Sequence, residues 1–330
     1  MTPPADPDGG RPVVVVTRRL PAAVEEAVAA RFDGRFNTLD DPFEPAVLED
    51  AMRRADALLC TVTDHLGARV LDVRDRRVRI VANFGVGVNN IDLAAARAAG
   101  VTVTNTPDVL TDDTADLAVA LLLAVARRMG EGERLVRADA WSGWTPTQLL
   151  GTRVTGRVLG IVGYGRIGRA VARRAHFGFG MRILYHSRRA HPATPGDPPA
   201  EYRERLDDLL AECDAVTLHC PSTPETRHLI DERSLTRMRP TAFLVNTARG
   251  DVVDEVALVT ALREGRIAGA GLDVYEREPR LADGLRELAN VVLLPHLGSA
   301  TTETRTAMGL RALANLEAFF AGREPPDRVA

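Results

Sequence analysis

Short apolar runs alternate with amphipathic stretches along the first hundred residues of the chain. An unbroken apolar run bounded by polar residues predicts a buried strand, and apolar residues at helical spacing predict a helix. Alternation of strand and helix in this order is typical of a parallel sheet covered by helices. The predicted strands are Val13–Val16, Ala57–Cys60, Val78–Ala82 and Val101–Thr104, and the predicted helices are Ala22–Arg31, Glu44–Arg54 and Leu93–Ala99.

The pattern continues after a long helix that begins at Thr111 and is predicted to reach about Met129. Hydroxyls and carboxylates at its start suit the free N–H groups and the positive dipole end of a helix. Pro192–Pro199 is predicted as a surface loop. The later strands are apolar enough to be covered on both faces, as in a doubly wound sheet. They are predicted at Val158–Val162, Met181–His186, Ala215–His219, Ala242–Asn246, Ala268–Val274 and Val291–Leu294.

The last predicted helix, Thr302–Phe320, carries apolar residues at helical spacing, and we expect it to pack back on the first domain. The predicted fold is therefore α/β: a doubly wound, parallel-sheet domain inserted into a second α/β domain. The boundaries are predicted as 1–106 plus 300–330 for the outer domain and 107–299 for the inserted domain. A length of 330 residues is typical of about two domains.

Composition narrows the classes of function. A net charge of −3 gives no support to a nucleic-acid partner, which would need a basic surface. Three cysteines without a CxxC pair favour a reduced, cytoplasmic protein. The tail Met1–Pro12 lacks the apolar core of a signal peptide. The longest apolar run, Leu117–Ala126, is too short to span a bilayer, so no membrane partner is expected.

The chain contains no lysine, so all 42 of its basic residues are arginines. This composition excludes Schiff-base chemistry, a P-loop lysine and a lysine general acid or base. It also excludes imine or 3-hydroxyacid dehydrogenases that depend on a lysine.

Gly163, Gly165 and Gly168 stand at GxGxxG spacing between a predicted strand and a predicted helix. In that context the first glycine permits a tight turn, the second lets backbone approach a pyrophosphate, and the third lets the helix pack closely on the strand. The N–H groups at the helix start then face the phosphates. The motif predicts a dinucleotide site. The inserted domain, 107–299, is therefore predicted to be a Rossmann-type, dinucleotide-binding cofactor domain, and the outer domain, 1–106 plus 300–330, a flavodoxin-like α/β substrate domain.

The residues after the next strand indicate which coenzyme is preferred. An acidic residue about twenty positions after the glycine loop would bind the ribose 2′-hydroxyl of NAD, whereas an arginine accommodates a 2′-phosphate. Here Ser187, Arg188 and Arg189 follow the strand and no carboxylate is present. We therefore predict a preference for NADP(H), with Arg188 the favoured partner and NAD(H) possible if both arginines are merely solvated.

Arg249, Glu278 and His296 each follow a predicted strand of the cofactor domain. A guanidinium matches a carboxylate, an imidazole exchanges protons near neutral pH, and a carboxylate beside it would favour and orient the imidazolium. His219 and His228 are alternative proton donors. A metal site is not expected, because the histidines and Cys220 lack ligand spacing.

At these residues the chain resembles the D-isomer-specific 2-hydroxyacid dehydrogenase family over nearly its full length. The motifs that carry this resemblance are Gly163–Gly168, Leu218–Pro221, Asn246–Gly250, Gly271–Val274, Glu278–Pro279 and Pro295–Ala300. Within the family it is most similar to glyoxylate/hydroxypyruvate reductases, through Asn83–Asp92, Trp141–Pro146 and Tyr185–Arg189.

The resemblance implies that Arg249, Glu278 and His296 are catalytic and that backbone amides around Val86 and Gly87 bind a substrate carboxylate. It also implies a homodimer in which the segment around Trp141 reaches the partner. The cofactor contacts that it implies, together with those predicted from the motif, are Thr114, Gly163, Gly165, Arg166, Ile167, Gly168, Ser187, Arg188, Arg189, Cys220, Pro221, Thr226, Thr247, Ala248, Asp273 and Gly298.

The resulting hypothesis is an enzyme that passes a hydride between NAD(P)H and a small 2-oxo acid to give the D-2-hydroxy acid. Two alternatives share this architecture. One is a nucleotide-sensing interaction protein like the corepressors, and the other is a formate or phosphite dehydrogenase.

Overall fold

The computed structural model describes residues 10–330, so most of the predicted tail Met1–Pro12 lies outside the described residues. The chain forms two units. One comprises the described residues up to Leu110 together with Thr301–Ala330, and the other is the continuous segment Thr111–Ala300. In residues 10–330, no helix combines the length and the apolar character needed to cross a membrane.

The first unit contains a five-stranded parallel sheet in the order β2-β1-β3-β4-β5. This is the flavodoxin-like order, which confirms the predicted α/β fold of this part of the chain. Its strands are β1 Val13–Val16, β2 Asp33–Phe36, β3 Ala57–Thr61, β4 Ile80–Phe84 and β5 Thr102–Thr104, and its helices are α1 Ala22–Arg31, α2 Pro45–Arg54, α3 Ala68–Leu71, α4 Leu93–Ala98 and α11 Thr302–Phe320.

The C-terminal helix α11 packs on β4 and α1. Leu313 and Leu316 are buried in one core cluster with the apolar side chains of β1. Gly309 lies so close to Val24 that a Cβ at this position would be 2.5 Å from a methyl group of Val24. The predicted bounds of this helix match the structure.

The second unit contains a seven-stranded parallel sheet in the order β12-β11-β10-β9-β6-β7-β8, with apolar cores on both faces. The order reverses beside β6, as in doubly wound dinucleotide-binding folds. Its strands are β6 Val158–Val162, β7 Arg182–His186, β8 Ala200–Tyr202, β9 Ala215–Leu218, β10 Phe243–Asn246, β11 Gly269–Leu272 and β12 Val291–Leu293. Its helices are α5 Thr111–Ala126, α6 Met129–Arg137, α7 Arg166–Phe179, α8 Leu206–Glu212, α9 Glu232–Arg237 and α10 Glu255–Arg263, with short 3₁₀ turns at Gly250–Val252 and Leu285–Glu287.

The helix from Thr111 is shorter than predicted. It ends at Ala126, and a new helix starts at Met129, because Arg128 adopts a left-handed conformation with φ of +53°. Both guanidinium nitrogens of Arg128 that face Glu131 lie 2.8 Å from its carboxylate oxygens. Side-chain pairing therefore compensates for an unfavourable backbone conformation that the apolar pattern does not reveal.

Candidate functional site

Three neighbouring strands of the second unit, β10, β11 and β12, end at the same edge of the sheet. Arg249 follows β10, Glu278 follows β11 and His296 follows β12. Parallel strands direct their carboxyl ends to one side, which is where open α/β sheets bind ligands. The topology therefore brings together the three residues that the sequence singled out.

His296 and Glu278 form a direct pair, with Nδ1 of the imidazole 2.9 Å from Oε2 of the carboxylate. The other carboxylate oxygen accepts a hydrogen bond of 3.1 Å from the backbone N–H of Tyr275. Both side chains are about one-third exposed, at 34% and 37%. Because Nδ1 is engaged, Nε2 is the ring nitrogen left to exchange a proton with a ligand.

The loop after β12 holds His296 in a left-handed conformation, with φ of +57°. Such conformations cost free energy in residues other than glycine and persist where the surroundings fix them. Here the N–H of His296 donates to the backbone oxygen of Asp273 at 2.9 Å, and the N–H groups of Leu297 and Gly298 donate to the carboxylate of Asp273 at 2.6 and 2.8 Å. Asp273, which is 1% exposed, thus sets the direction of the imidazole.

Gly250 fixes the spacing between the Arg249 loop and the Glu278 loop. Its Cα packs directly on the peptide that joins Tyr275 to Glu276, and a Cβ added there would be 1.8 Å from the carbonyl carbon of Tyr275. The two backbones can approach this closely only because residue 250 has no side chain. Arg249 therefore lies beside the loop that carries Glu278.

The electrostatics of the three side chains agree with this proximity. Burial raises the pKa of Glu278, but the hydrogen bond and charge of His296, the N–H of Tyr275 and the charge of Arg249 outweigh it, and the pKa lies below its ordinary value. Burial lowers the pKa of Arg249, and the charges of Glu278 and Asp251 oppose that effect. Glu278 is therefore a carboxylate at neutral pH, close to both the imidazole of His296 and the guanidinium of Arg249.

The glycine loop fits a dinucleotide. Gly163 has φ of +93° and packs on the backbone of His219 and Cys220, while a Cβ at Gly168 would be 2.3 Å from the backbone oxygen of Gly163. At Gly165, in contrast, a Cβ would meet nothing within 4 Å. The first and third glycines thus serve the turn and the packing of α7 on β6, and the second leaves the open space that a pyrophosphate needs.

The buried polar atoms that lack a partner within residues 10–330 include three that follow strands of this sheet: the hydroxyls of Tyr164 and Thr247 and Nδ1 of His219. Buried polar groups are nearly always hydrogen-bonded, so an orphaned hydroxyl at a strand end is consistent with a ligand contact. Other predicted cofactor contacts are already engaged within the protein: the hydroxyl of Thr114 donates to Gly298, that of Thr226 donates to Pro221, and Asp273 holds the His296 loop. Their role towards a cofactor stays a prediction.

Ser187, Arg188 and Arg189 follow β7 directly. Both arginines are exposed, and neither has a carboxylate within salt-bridge distance in the part of the chain that the structure describes. The Ser187 hydroxyl donates to the backbone oxygen of Arg189 at 2.7 Å, which turns the chain at this point. Two solvated guanidinium groups therefore stand where the sequence predicts the coenzyme ribose to bind.

In the first unit, the loop after β4 carries the predicted substrate amides of Val86 and Gly87. The side-chain amide of Asn83 donates to the carbonyls of Gly85 and Gly87 at 3.2 and 3.0 Å, and that of Asn105 donates to the carbonyl of Val86 at 2.8 Å.

Each trans peptide places its N–H opposite its carbonyl, so the N–H groups of Val86 and Gly87 point away from these asparagines. Successive N–H groups without an internal partner suit an anion, and the binding of a substrate carboxylate by Val86 and Gly87 stays a prediction. The sequence analysis gave Asn83 and Asn105 no role. The only signal in the sequence was their position, since Asn83 lies near the end of β4 and Asn105 directly follows β5.

The competing histidines are less suited to proton transfer. Burial lowers the pKa of His219 to about 3, and its Nε2 is 2.9 Å from the hydroxyl of Thr217. His228, predicted at a helix start, lies instead in a turn with φ of +50°, and its Nε2 is 3.0 Å from Glu276. The same oxygen of Glu276, Oε1, lies 2.8 Å from Nη2 of Arg227, so His228 and Glu276 are part of a surface ion network. Among residues 10–330, no three His, Cys, Asp or Glu side chains converge to hold a metal ion.

Comparison with known proteins agrees with this geometry. Residues 119–298 match the profile of the D-isomer specific 2-hydroxyacid dehydrogenase NAD binding domain. A glyoxylate reductase of Thermococcus onnurineus is 48% identical over 97% of this chain and 96% of its own length. A glyoxylate reductase of Aeropyrum pernix is 46% identical over 97% and 96% of the two chains.

Solved structures show the same relationship. The NADPH-dependent glyoxylate/hydroxypyruvate reductase of Sinorhizobium meliloti, solved with NADP and malonate, superposes with a TM-score of 0.86. It is 36% identical, and the match covers 97% of each chain. The matched profile and the near-full-length identity establish that the chain belongs to the D-isomer-specific 2-hydroxyacid dehydrogenase family, whose members are NAD(P)-dependent oxidoreductases.

Proposed function

We propose that this protein reduces a small 2-oxo acid, such as glyoxylate or hydroxypyruvate, to the D-2-hydroxy acid and that it prefers NADPH. The observation that carries the proposal is the His296–Glu278 pair at 2.9 Å, beside Arg249 on one edge of a doubly wound sheet. The relatives named as glyoxylate reductases support the substrate class. The NADPH-dependent relative from Sinorhizobium meliloti supports the coenzyme.

The coenzyme would bind over the glycine loop, with its 2′-phosphate near Arg188 and Arg189. When bound, NADPH supplies the hydride that is added to the carbonyl carbon. Gly165 leaves room for the pyrophosphate, and Ser187, standing where an NAD enzyme would carry an acid, leaves the 2′-phosphate unopposed.

The substrate carboxylate would be held by the N–H groups of Val86 and Gly87 and by the guanidinium of Arg249. Arginine matches a carboxylate with two parallel donors, and the amides add charge-assisted hydrogen bonds. These contacts orient the 2-oxo group for reaction.

His296 would act as the proton donor. Nε2 of the imidazolium would give its proton to the carbonyl oxygen of the substrate, and the ring would become a neutral imidazole. Glu278 stabilises the imidazolium through Nδ1 and keeps the ring oriented. General acid catalysis of this kind contributes about 10²–10⁴-fold to a rate.

We also infer that the protein is a homodimer. Trp141 and Trp144 are 53% and 79% exposed in the stretch that follows α6, where the family resemblance implies contact with a partner. Exposed tryptophans of this kind mark interaction surfaces.

Steady-state assays of a panel of 2-oxo acids, each with NADH and with NADPH, test the proposal directly. We expect reduction of glyoxylate and hydroxypyruvate and a lower KM for NADPH. A tenfold or greater preference for NADH would refute the coenzyme assignment. A protein that binds NADPH but reduces no 2-oxo acid would refute the reductase function and favour a sensor role.

A further inference from the structure

The loop between β7 and β8, Ser187–Pro199, is fastened to helix α7 by one carboxylate. Asp197, near the end of this loop, has a side chain that is only 6% exposed. It pairs with Nη1 of Arg169 and, at 2.7 Å, with Nη1 of Arg173, both on α7. The same nitrogen of Arg169 also donates to the hydroxyl of Thr194 at 2.8 Å. These contacts join the later part of the loop to a rigid helix.

Aromatic side chains fasten the earlier part of the loop. The hydroxyl of Tyr185, on β7, accepts a 2.9 Å hydrogen bond from the backbone N–H of His191. The ring of Tyr185 stacks on that of Tyr164 with their centroids 4.2 Å apart, and the guanidinium of Arg169 lies 5.0 Å from the centroid of Tyr164. Arg169 therefore links the aromatic stack to Asp197.

The arginines of this region fall into two groups. Arg169 and Arg173 are paired with Asp197, whereas Arg188 and Arg189 are exposed and have no carboxylate within salt-bridge distance in the described residues. The paired arginines thus hold the loop, whereas Arg188 and Arg189 form no salt bridge within residues 10–330 and are exposed to an anion. Glu225 lies near enough to Arg188 for that charge to contribute to the lowered pKa of its carboxyl, after its hydrogen bonds with Thr223 and the backbone. Isolated surface ion pairs add little to stability, but a buried carboxylate shared by two guanidinium groups is much stronger.

We propose that Asp197 is a positioning residue for coenzyme selectivity, which fixes the β7–β8 loop on α7 so that Arg188 and Arg189 face the 2′-phosphate of NADPH. This inference rests on the proposed preference for NADPH. A loop that is already ordered loses less conformational entropy when the phosphate binds, so its arginines contribute more of their attraction to affinity. NADH lacks the 2′-phosphate, so the ordered β7–β8 loop adds almost nothing to its affinity.

The test must separate loop order from charge, because removing Asp197 alone also removes a negative charge beside the phosphate site. The double variant Asp197→Asn with Arg173→Gln breaks the contact and leaves the net charge unchanged. We expect its Kd for NADPH, measured by coenzyme fluorescence, to rise about tenfold and its Kd for NADH to change less than twofold.

A matched control is available at the same edge of the sheet. Glu201 and Arg182 form an ion pair at 2.7 Å between β8 and β7, outside the loop. The charge-balanced variant Glu201→Gln with Arg182→Gln should keep the wild-type ratio of the two Kd values. The single variant Asp197→Glu, which retains the charge, should keep more of the selectivity for NADPH over NADH than the Asp197 double variant does.

The outcomes distinguish this inference from the function on which it rests. A wild-type protein that binds both coenzymes equally would overturn the NADPH assignment and this inference with it. A selective wild type whose selectivity survives in the Asp197 double variant would overturn this inference alone. Equal weakening of NADPH and NADH would also overturn it, because general disruption of the coenzyme site would then explain the loss.

Discussion

Replacement of Gly250 by alanine tests how closely the Arg249 loop and the Glu278 loop must approach. The added Cβ would be 1.8 Å from the carbonyl carbon of Tyr275, 2.0 Å from its oxygen and 2.3 Å from the nitrogen of Glu276. Real Cβ contacts are not shorter than 3.0 Å, so the two backbones must separate by roughly 1 Å. All of these atoms belong to the backbone, so no change of rotamer can relieve the clash.

The substitution should lower both stability and activity. Overpacking of this kind costs about 1–3 kcal/mol, and each kcal/mol lowers the Tm by about 2–4 °C in a unit of this size. Glu278 moves with the displaced loop, since its carboxylate is held by the N–H of Tyr275 at 3.1 Å. A misplacement of about 1 Å between catalytic groups can reduce a rate on the order of 100-fold, so kcat/KM should fall by about that factor.

Reduction of glyoxylate, followed by the loss of NADPH absorbance, gives kcat/KM, and a thermal melt gives the Tm. Gly67→Ala is the matched control, because its Cβ would meet nothing within 4 Å and its φ of −76° suits alanine. The control should retain wild-type activity. Wild-type kcat/KM in Gly250→Ala would show that the loops do not depend on this close contact.

Three further substitutions test individual roles. His296→Ala should lower the turnover number by about 10²–10⁴-fold while NADPH still binds, and unchanged turnover would eliminate the proton-donor role. Glu278→Gln should move the alkaline limb of the pH–rate profile to lower pH, because a neutral amide no longer stabilises the imidazolium; an unmoved limb would contradict the pairing. In the wild type this stabilisation should persist at neutral pH and disappear only as the pH falls through the lowered pKa of Glu278. Asn105→Ala should raise the KM for glyoxylate about tenfold with little change in kcat, because it frees the Val86 carbonyl whose peptide carries the Gly87 N–H. Asn37→Ala removes a side-chain amide that donates to the backbone carbonyls of Thr17 and Asp41, and it should leave this KM unchanged. Equal KM values in the two variants would refute a role for Asn105 in presenting the Gly87 N–H.

The family and the fold class were predictable from the sequence, and the matched profile and structures confirm both. The reason is that apolar runs reveal the strands, and parallel strands share one edge for their carboxyl ends. This logic places Arg249, Glu278 and His296 near one another without knowledge of any distance. Their catalytic roles stay predictions that the variants above test.

Other features depend on contacts between segments far apart in the chain. The left-handed conformation of His296 is set by Asp273, which follows another strand, and the direction of the Gly87 N–H is set by the hydrogen bond from Asn105 to the Val86 carbonyl. The edge strand β2 was missed because only one of its residues, Phe36, is a large apolar side chain. The pattern of apolar and polar residues in one segment does not show which distant residues that segment contacts.

The hydrogen bond of 3.0 Å from Thr114 to the backbone oxygen of Gly298 joins the beginning of the segment Thr111–Ala300 to its end. A segment whose two ends meet can be excised or transplanted as one piece, because a host needs only a small gap to receive it. The segment Thr111–Ala300 is thus suited to transfer as one piece. Exchange with the equivalent segment of a relative is expected to carry the glycine loop and the residues after β7 together, because all of them lie within Thr111–Ala300.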